Sequence, residues 1–176
     1  MKKPLILFVL ISIILAILLV GSENQKDNAC YLRIHVRANS NLESDQSVKY
    51  LVKDELVNYL TPYIANCNTK EEALNLITSK KLEMEEISNA VLNSNGFEYL
   101  AKITIKNELF PTRTYEDFTL EEGFYDAIIV SLGDAKGDNW WCVVYPPLCF
   151  STAKNTVYKS KILEIIEEFK EKRADK

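Results

Sequence analysis

Apolar residues follow two periods along this chain, and each change of period marks a change of structure. From Tyr31 to Ala38, Leu32, Ile34 and Val36 alternate with Arg33, His35 and Arg37. That is the period-two pattern of a strand with one face on a core and one polar face. Asn39-Ser40-Asn41 then suits a turn, because short polar side chains bond the local backbone and tolerate left-handed geometry. From an N-cap at Ser44, Val48, Leu51, Val52, Leu56, Tyr59 and Leu60 recur at helical spacing, and Pro62 should end or kink that helix. A second helix opens at Thr69-Lys70-Glu71-Glu72, where the threonine hydroxyl and the Glu72 carboxylate can satisfy the first backbone donors. Its stripe runs through Leu74, Ile77, Met84, Ile87 and Val91, is interrupted at Lys80-Lys81, and stops at Asn95-Gly96.

Strands come next. Phe97 to Lys106 alternates cleanly, with Phe97, Tyr99, Ala101, Ile103 and Ile105 against Glu98, Lys102, Thr104 and Lys106, so one face should be wet. Thr112 to Leu120 reads as a weaker strand, and Phe124 to Leu132 as a central one, since both of its faces are apolar. Gly133 to Asp138 turns the chain into Trp140 to Tyr145, a buried strand that Pro146-Pro147 ends. Tyr158, Ile162, Ile165, Ile166 and Phe169 give a last helix, from about Asn155 to Lys172, an amphipathic face for packing on a sheet. The expectation is an α+β domain: a mostly antiparallel sheet of about five strands, two helices inserted after the first strand, and a C-terminal amphipathic helix.

At the N-terminus, Lys2 and Lys3 precede an apolar run from Leu5 to Val20 and then Gly21-Ser22. The run reads either as a cleaved signal peptide or as a retained membrane anchor, and both place the rest of the chain outside the cytoplasm. The organisation is then a leader over 1–21, a polar linker over 22–29, an exported domain over 30–153 and a terminal helix over 154–176. The chain carries 21 lysines and arginines against 25 aspartates and glutamates, and two of those lysines belong to the leader. Without a clustered basic surface, nucleic acid is excluded as the natural partner.

The stretch Asn139 to Phe150 concentrates the rare residue types: both tryptophans, Cys142, Cys149 and the proline pair. Cys142 and Cys149 either bridge the Pro-Pro turn or stay as small buried apolar residues, and packing is the reading for Cys30 and Cys67. An extracytoplasmic cysteine hydrolase or transpeptidase would pair Cys142 or Cys149 with His35, the single histidine, and use Asn139 or Asn39 to orient it. Neither cysteine starts a helix, where its pKa would fall, and nothing in the spacing brings these groups together. No Cys-x-x-Cys accompanies the histidine, so no metal and no cofactor is expected. Gly133-Asp134-Ala135-Lys136-Gly137 joins two strands and lacks the helix N-terminus of a phosphate cradle. A surface reading remains, with arginines and aromatic residues as interface anchors. Trp140 and Trp141 would point to opposite sides of their strand, one buried and one partly exposed. A cell-wall binding module is a further alternative.

Three motifs carry a resemblance. Phe110-Pro111-Thr112-Arg113-Thr114-Tyr115 is followed by Gly133-Asp134-Ala135-Lys136-Gly137-Asp138-Asn139-Trp140-Trp141-Cys142 and by Pro146-Pro147-Leu148-Cys149-Phe150. With the earlier His35-Val36-Arg37-Ala38-Asn39-Ser40 and Asp45-Gln46, the chain resembles stage II sporulation protein R of endospore-forming bacteria from about Leu32 to Phe150. The resemblance implies a signalling protein rather than an enzyme, with no catalytic residue. Such proteins are made in the forespore and exported into the space between the two cell membranes. There they activate a membrane-embedded aspartic protease, which processes the precursor of an early mother-cell sigma factor. On this reading the partner-binding residues are His35, Asn39, Ser40, Arg113, Asn139, Trp140 and Trp141, and the membrane is touched only through the N-terminal segment.

Overall fold

The computed structural model describes residues 8, 11–13, 28, 30–115, 118–151 and 156–174. The leader and linker expectations lie almost wholly outside them. Strand β1 (Leu32–Arg37) is followed by helices α1 (Glu43–Ile64), α2 (Lys70–Ser79) and α3 (Lys81–Ser94). Strands β2 (Ala101–Phe110), β3 (Arg113–Tyr115), β4 (Phe118–Leu120), β5 (Gly123–Leu132) and β6 (Asn139–Tyr145) come next. A 3₁₀ turn (Leu148–Phe150) and helix α4 (Thr156–Ala174) complete the described chain.

The α+β class stands, but the sheet is mixed and four-stranded, in the order β2-β5-β1-β6. β1 runs parallel to β5, while β2 and β6 are antiparallel to their neighbours. The expected weak strand over Thr112 to Leu120 is instead a separate small hairpin, β3-β4, closed by a 2.9 Å bond between the Thr114 and Thr119 hydroxyls. Three helices, not two, separate β1 from β2. The break falls at Lys80, where two lysines interrupt the apolar stripe and the backbone leaves helical geometry for one residue. The N-cap of α1 is Leu42, which makes no side-chain cap, in place of the expected Ser44, and the helix runs two residues past Pro62. A proline so near the C-terminus disrupts little of the bonding ladder, and the Pro62 carbonyl accepts a 2.7 Å bond from Asn66 Nδ2.

Thr69 caps α2 as expected, its hydroxyl accepting Glu72 N–H at 3.1 Å, while the Glu72 carboxylate accepts Asn68 N–H at 2.8 Å. Gly96, at φ +81°, ends α3. β2 starts at Ala101, later than the alternation suggests, because its partner β5 ends at Leu132, opposite Ala101; Phe97 and Tyr99 pack against each other ahead of the strand at 5.2 Å.

Each face of the sheet carries its own core. Leu32, Ile34, Val36, Ile103, Ile128, Val130, Leu132 and Val144 meet Val52, Leu56, Leu60, Ile77, Met84 and Leu92 of the helices. Ile162 and Ile166 of α4 join this same layer. On the other face, Tyr31, Phe110, Tyr125, Ala127 and Val143 pack with Leu120 and Tyr115 of the hairpin. Phe169 of α4 sits against the Tyr31 ring at 5.4 Å.

Candidate partner-recognition site

Alternation in β1 sends Arg33, His35 and Arg37 to the hairpin side of the sheet, as the pattern requires. That face is not wet. Arg33 and His35 are fully buried and Arg37 half-buried, which corrects the expectation of an exposed polar face. The physical reason is the hairpin together with Phe110, which roofs the basic residues with rings. The Arg33 guanidinium stands 4.3 Å from the Phe110 ring centre and 4.7 Å from that of Tyr125, and its Nη2 donates to the Tyr115 hydroxyl at 2.9 Å. A delocalised, weakly hydrated cation is the one that tolerates such a cage. Its Nε and Nη1 find no hydrogen-bond partner among the described residues.

His35 stacks on Trp141 with ring centres 4.6 Å apart, which the strand register provides by placing the two residues opposite each other. Phe110 meets the same indole edge-on at 4.9 Å. His35 Nε2 approaches Glu108 Oε2 at 3.3 Å without hydrogen-bond geometry, while Arg37 donates to Glu108 Oε1. Burial, then the neighbouring Arg37 charge, lowers the His35 pKa from 6.5 to about 4, and Glu108 offsets this only in part. The imidazole is therefore neutral at physiological pH. Arg113, exposed on β3, places its guanidinium 5.5 Å from the Trp141 ring centre. Half-buried Trp141 thus touches a buried histidine and a solvent-facing arginine.

A second group forms where β1 ends. Asn39 Nδ2 and Ser40 Oγ donate to Asp45 Oδ2 at 2.9 and 2.5 Å, and the Tyr99 hydroxyl donates to Oδ1 at 2.6 Å. Burial works against the Asp45 charge, yet bonds from Ser40, Tyr99 and Asn39 outweigh it and hold the pKa below the ordinary carboxyl value. Asn39 Oδ1 also accepts Asp134 N–H at 2.9 Å, and Asn41 Oδ1 accepts Asp138 N–H at 2.7 Å. Buried Lys49 donates to the Asp138 carbonyl at 3.0 Å. These bonds tie the Gly133 to Asp138 loop to the β1-α1 turn. A Cβ on Gly137 would stand 2.2 Å from the Ser40 carbonyl oxygen, which is why that position is glycine.

The seven residues singled out by the sequence therefore divide. His35, Trp141 and Arg113 come together, and Asn39 and Ser40 form the turn network. Asn139 opens β6, paired in register with Arg37. Trp140 lies on the helix side, half-buried like Trp141, in a narrow cleft lined by Ile34, Val36, Leu56 and Leu60 with Lys53 Nζ 5.5 Å from its ring. The two indoles do point to opposite sides, but both are half-buried.

Cys142 and Cys149 are joined by a disulfide with Cα atoms 5.9 Å apart, on the helix face. His35 lies on the other face, so the thiol and imidazole weighed as an enzymatic pair are not assembled. Cys67 packs in the helix-side core and Cys30 against the second cluster.

Sequence reasoning set Arg33 on one strand face with His35 and Arg37, but missed Glu108, Phe110 and Tyr99 as members of these groups. A signal existed for Lys49, which with Asp45 falls on the helical stripe of Val48, Val52 and Leu56 and so had to be buried.

The family model for stage II sporulation protein R matches residues 28–155. Stage II sporulation protein R of Bacillus subtilis (strain 168) is 32% identical to this chain over 189 residues, an alignment covering 100% of the chain and 80% of that relative. The family match stops before α4, whereas the Bacillus alignment includes it. No solved structure matches.

Proposed function

Because the chain belongs to the stage II sporulation protein R family, and so has a role in sporulation, we propose that it is an exported, non-catalytic signal that activates a membrane-embedded aspartic protease. The protease then processes the precursor of an early mother-cell sigma factor. Activation by binding requires that the effector hold the active state of its target more tightly than the inactive one.

The observation that carries the reading is the Trp141-Arg113 pair. Its indole is fixed from below by His35 and Phe110 and its arginine faces solvent. A rigid aromatic residue beside an accessible arginine is the composition of an interface hot spot. Asn39, Ser40 and Asn139 support this reading as positioning residues for the loop and for the start of β6. His35 acts through the indole it stacks on.

The test co-produces the full-length chain, the protease and the sigma-factor precursor in a host that does not sporulate, with the chain exported to the protease's outer face. Precursor shortening is expected only when the chain is present. Trp141→Ala should cut shortening about tenfold, the loss of one hot-spot contact, with the far-ultraviolet circular dichroism unchanged. Absence of shortening with the unaltered chain overturns the proposal.

A further inference from the structure

β2 is an edge strand, and only part of its edge is closed. Ala101 N–H donates to Asn89 Oδ1 and Ile103 N–H to Glu85 Oε1, each at 2.7 Å, so side chains of α3 occupy the first outward positions. Backbone groups alternate along a strand, and Ile105, Asn107 and Leu109 therefore present their N–H and C=O groups outward as well. Among the described residues, no hydrogen bond closes these three positions. Leu109 is 51% exposed and lies beside Phe124, 61% exposed, on the neighbouring strand. An open edge next to an apolar pair is a template for another strand.

The segment itself says which strand fits. Ile105-Lys106-Asn107-Glu108-Leu109 is complementary to its own reverse: apolar residues at both ends, Asn at the centre, and a basic residue where the reversed segment has an acidic one. We propose that the occupant is a second copy of this chain, paired antiparallel through β2 about a twofold axis at Asn107. In that register Ile105 faces Leu109 of the second copy, Lys106 faces Glu108, and Asn107 faces Asn107. The outward residues 105, 107 and 109 are then the ones that exchange backbone bonds, and 106 and 108 fall at the closer side-chain pairs. The Glu108 side chain is 18% exposed, and Lys106 lies 3.8 Å from its Oε2 within the chain. The second copy's lysine adds an opposite charge at the same place. Pro111 has no N–H and ends the ladder opposite Ile103 of the second copy, where α3 begins to cover the edge.

A twofold axis perpendicular to the sheet keeps like faces together. Both helical layers lie on one side, and both Trp141-Arg113 pairs lie on the other. The pairing does not depend on the function proposed above. With so short a ladder the contact is at the small end of specific interfaces, and the dimer is weak and concentration-dependent.

The experiment uses the full-length chain in a mild detergent. Asn107→Cys places two thiols in one directly opposed pair, whose Cα atoms stand about 5.5 Å apart, within disulfide reach. It should cross-link under mild oxidation at least tenfold faster than Lys102→Cys or the unaltered chain. Sedimentation of the unaltered chain should show a reversible dimer, and Leu109→Lys should raise its dissociation constant at least tenfold. The inference is overturned by a chain that stays monomeric at every accessible concentration, by a dimer that Leu109→Lys leaves intact, or by cross-linking of Asn107→Cys at the rate of the controls.

Discussion

On the helix side of the sheet, aliphatic side chains of the strands interlock with Leu56, Leu60, Ile77 and Met84, and the stabilisation comes from area and packing density. On the hairpin side, the same strands bury Arg33 and His35 among Phe110, Tyr125 and Trp141, leaving four nitrogens of those two residues without hydrogen bonds among the described residues. A well-packed aliphatic layer loses stability when anything is removed. A layer holding a lone buried cation already carries a desolvation cost. The two faces should therefore answer substitution differently. Leu56→Ala is expected to cost about 2–5 kcal/mol by opening a cavity. Arg33→Met, similar in volume, should stay within about 1.5 kcal/mol of the parent chain and tend toward greater stability. Urea denaturation of both variants checks this. Equal losses would mean that the rings satisfy Arg33 as fully as the helices satisfy Leu56.

Titration separates the faces next. Since the folded pKa of His35 is lowered from 6.5 to about 4, the unfolded chain takes up a proton in that interval that the folded chain refuses. Stability from this residue is complete above pH 6.5 and declines as the pH falls toward 4, by on the order of 3 kcal/mol. Asp45, with its pKa held below 3.8, adds its own loss only at lower pH. Denaturation midpoints between pH 7.5 and 4.5 should fall for the parent chain and stay nearly level for His35→Phe. A level profile in the parent would place His35 in contact with water.

The same contrast explains what could be read in advance. Phe124 to Leu132 announced itself as central because both of its faces are apolar, and the Thr69 cap and the Gly96 stop are local chemistry. The alternation in β1 divided its residues correctly between two faces, yet it says nothing about which face is wet. Arginine and histidine alone look like solvent residues; only Phe110, Tyr125 and Trp141, distant in sequence, convert them into buried ones. Parallel pairing of β1 with β5 was equally hidden, because the partner strand lies beyond three helices and three other strands. Within the candidate site, Trp141 and Arg113 were legible as residue types that anchor interfaces, whereas Asn39 and Ser40 turn inward to Asp45, a bond that no spacing rule shows.

Asn39 allows a test of that inward role. Asn39→Ala removes a donor to a buried carboxylate and an acceptor for Asp134 N–H, which should cost about 1–3 kcal/mol. Amide exchange at Asp134, Lys136 and Asp138 should speed up, because the loop loses its tie to the β1-α1 turn. A variant of normal stability and normal exchange that nonetheless fails to signal would move Asn39 from positioning to direct contact.

The smallest effect on stability is expected where the proposed effect on function is largest. Arg113 is exposed, and its side chain rests on Trp141 without an ion pair among the described residues. Exposed substitutions of this kind stay within about 0.5 kcal/mol. Arg113→Ala should therefore melt like the parent chain while lowering precursor processing in the co-production assay, and Arg113→Lys should restore only part of it. Lysine keeps the charge but gives up the planar group that stacks on an indole and bonds a partner through two parallel donors. Full rescue by lysine would reduce the site to simple charge attraction, sensitive to added salt. A large loss of stability in Arg113→Ala would assign the residue to the hairpin's packing, and the hairpin side of the sheet would then be a second core without an exposed working edge.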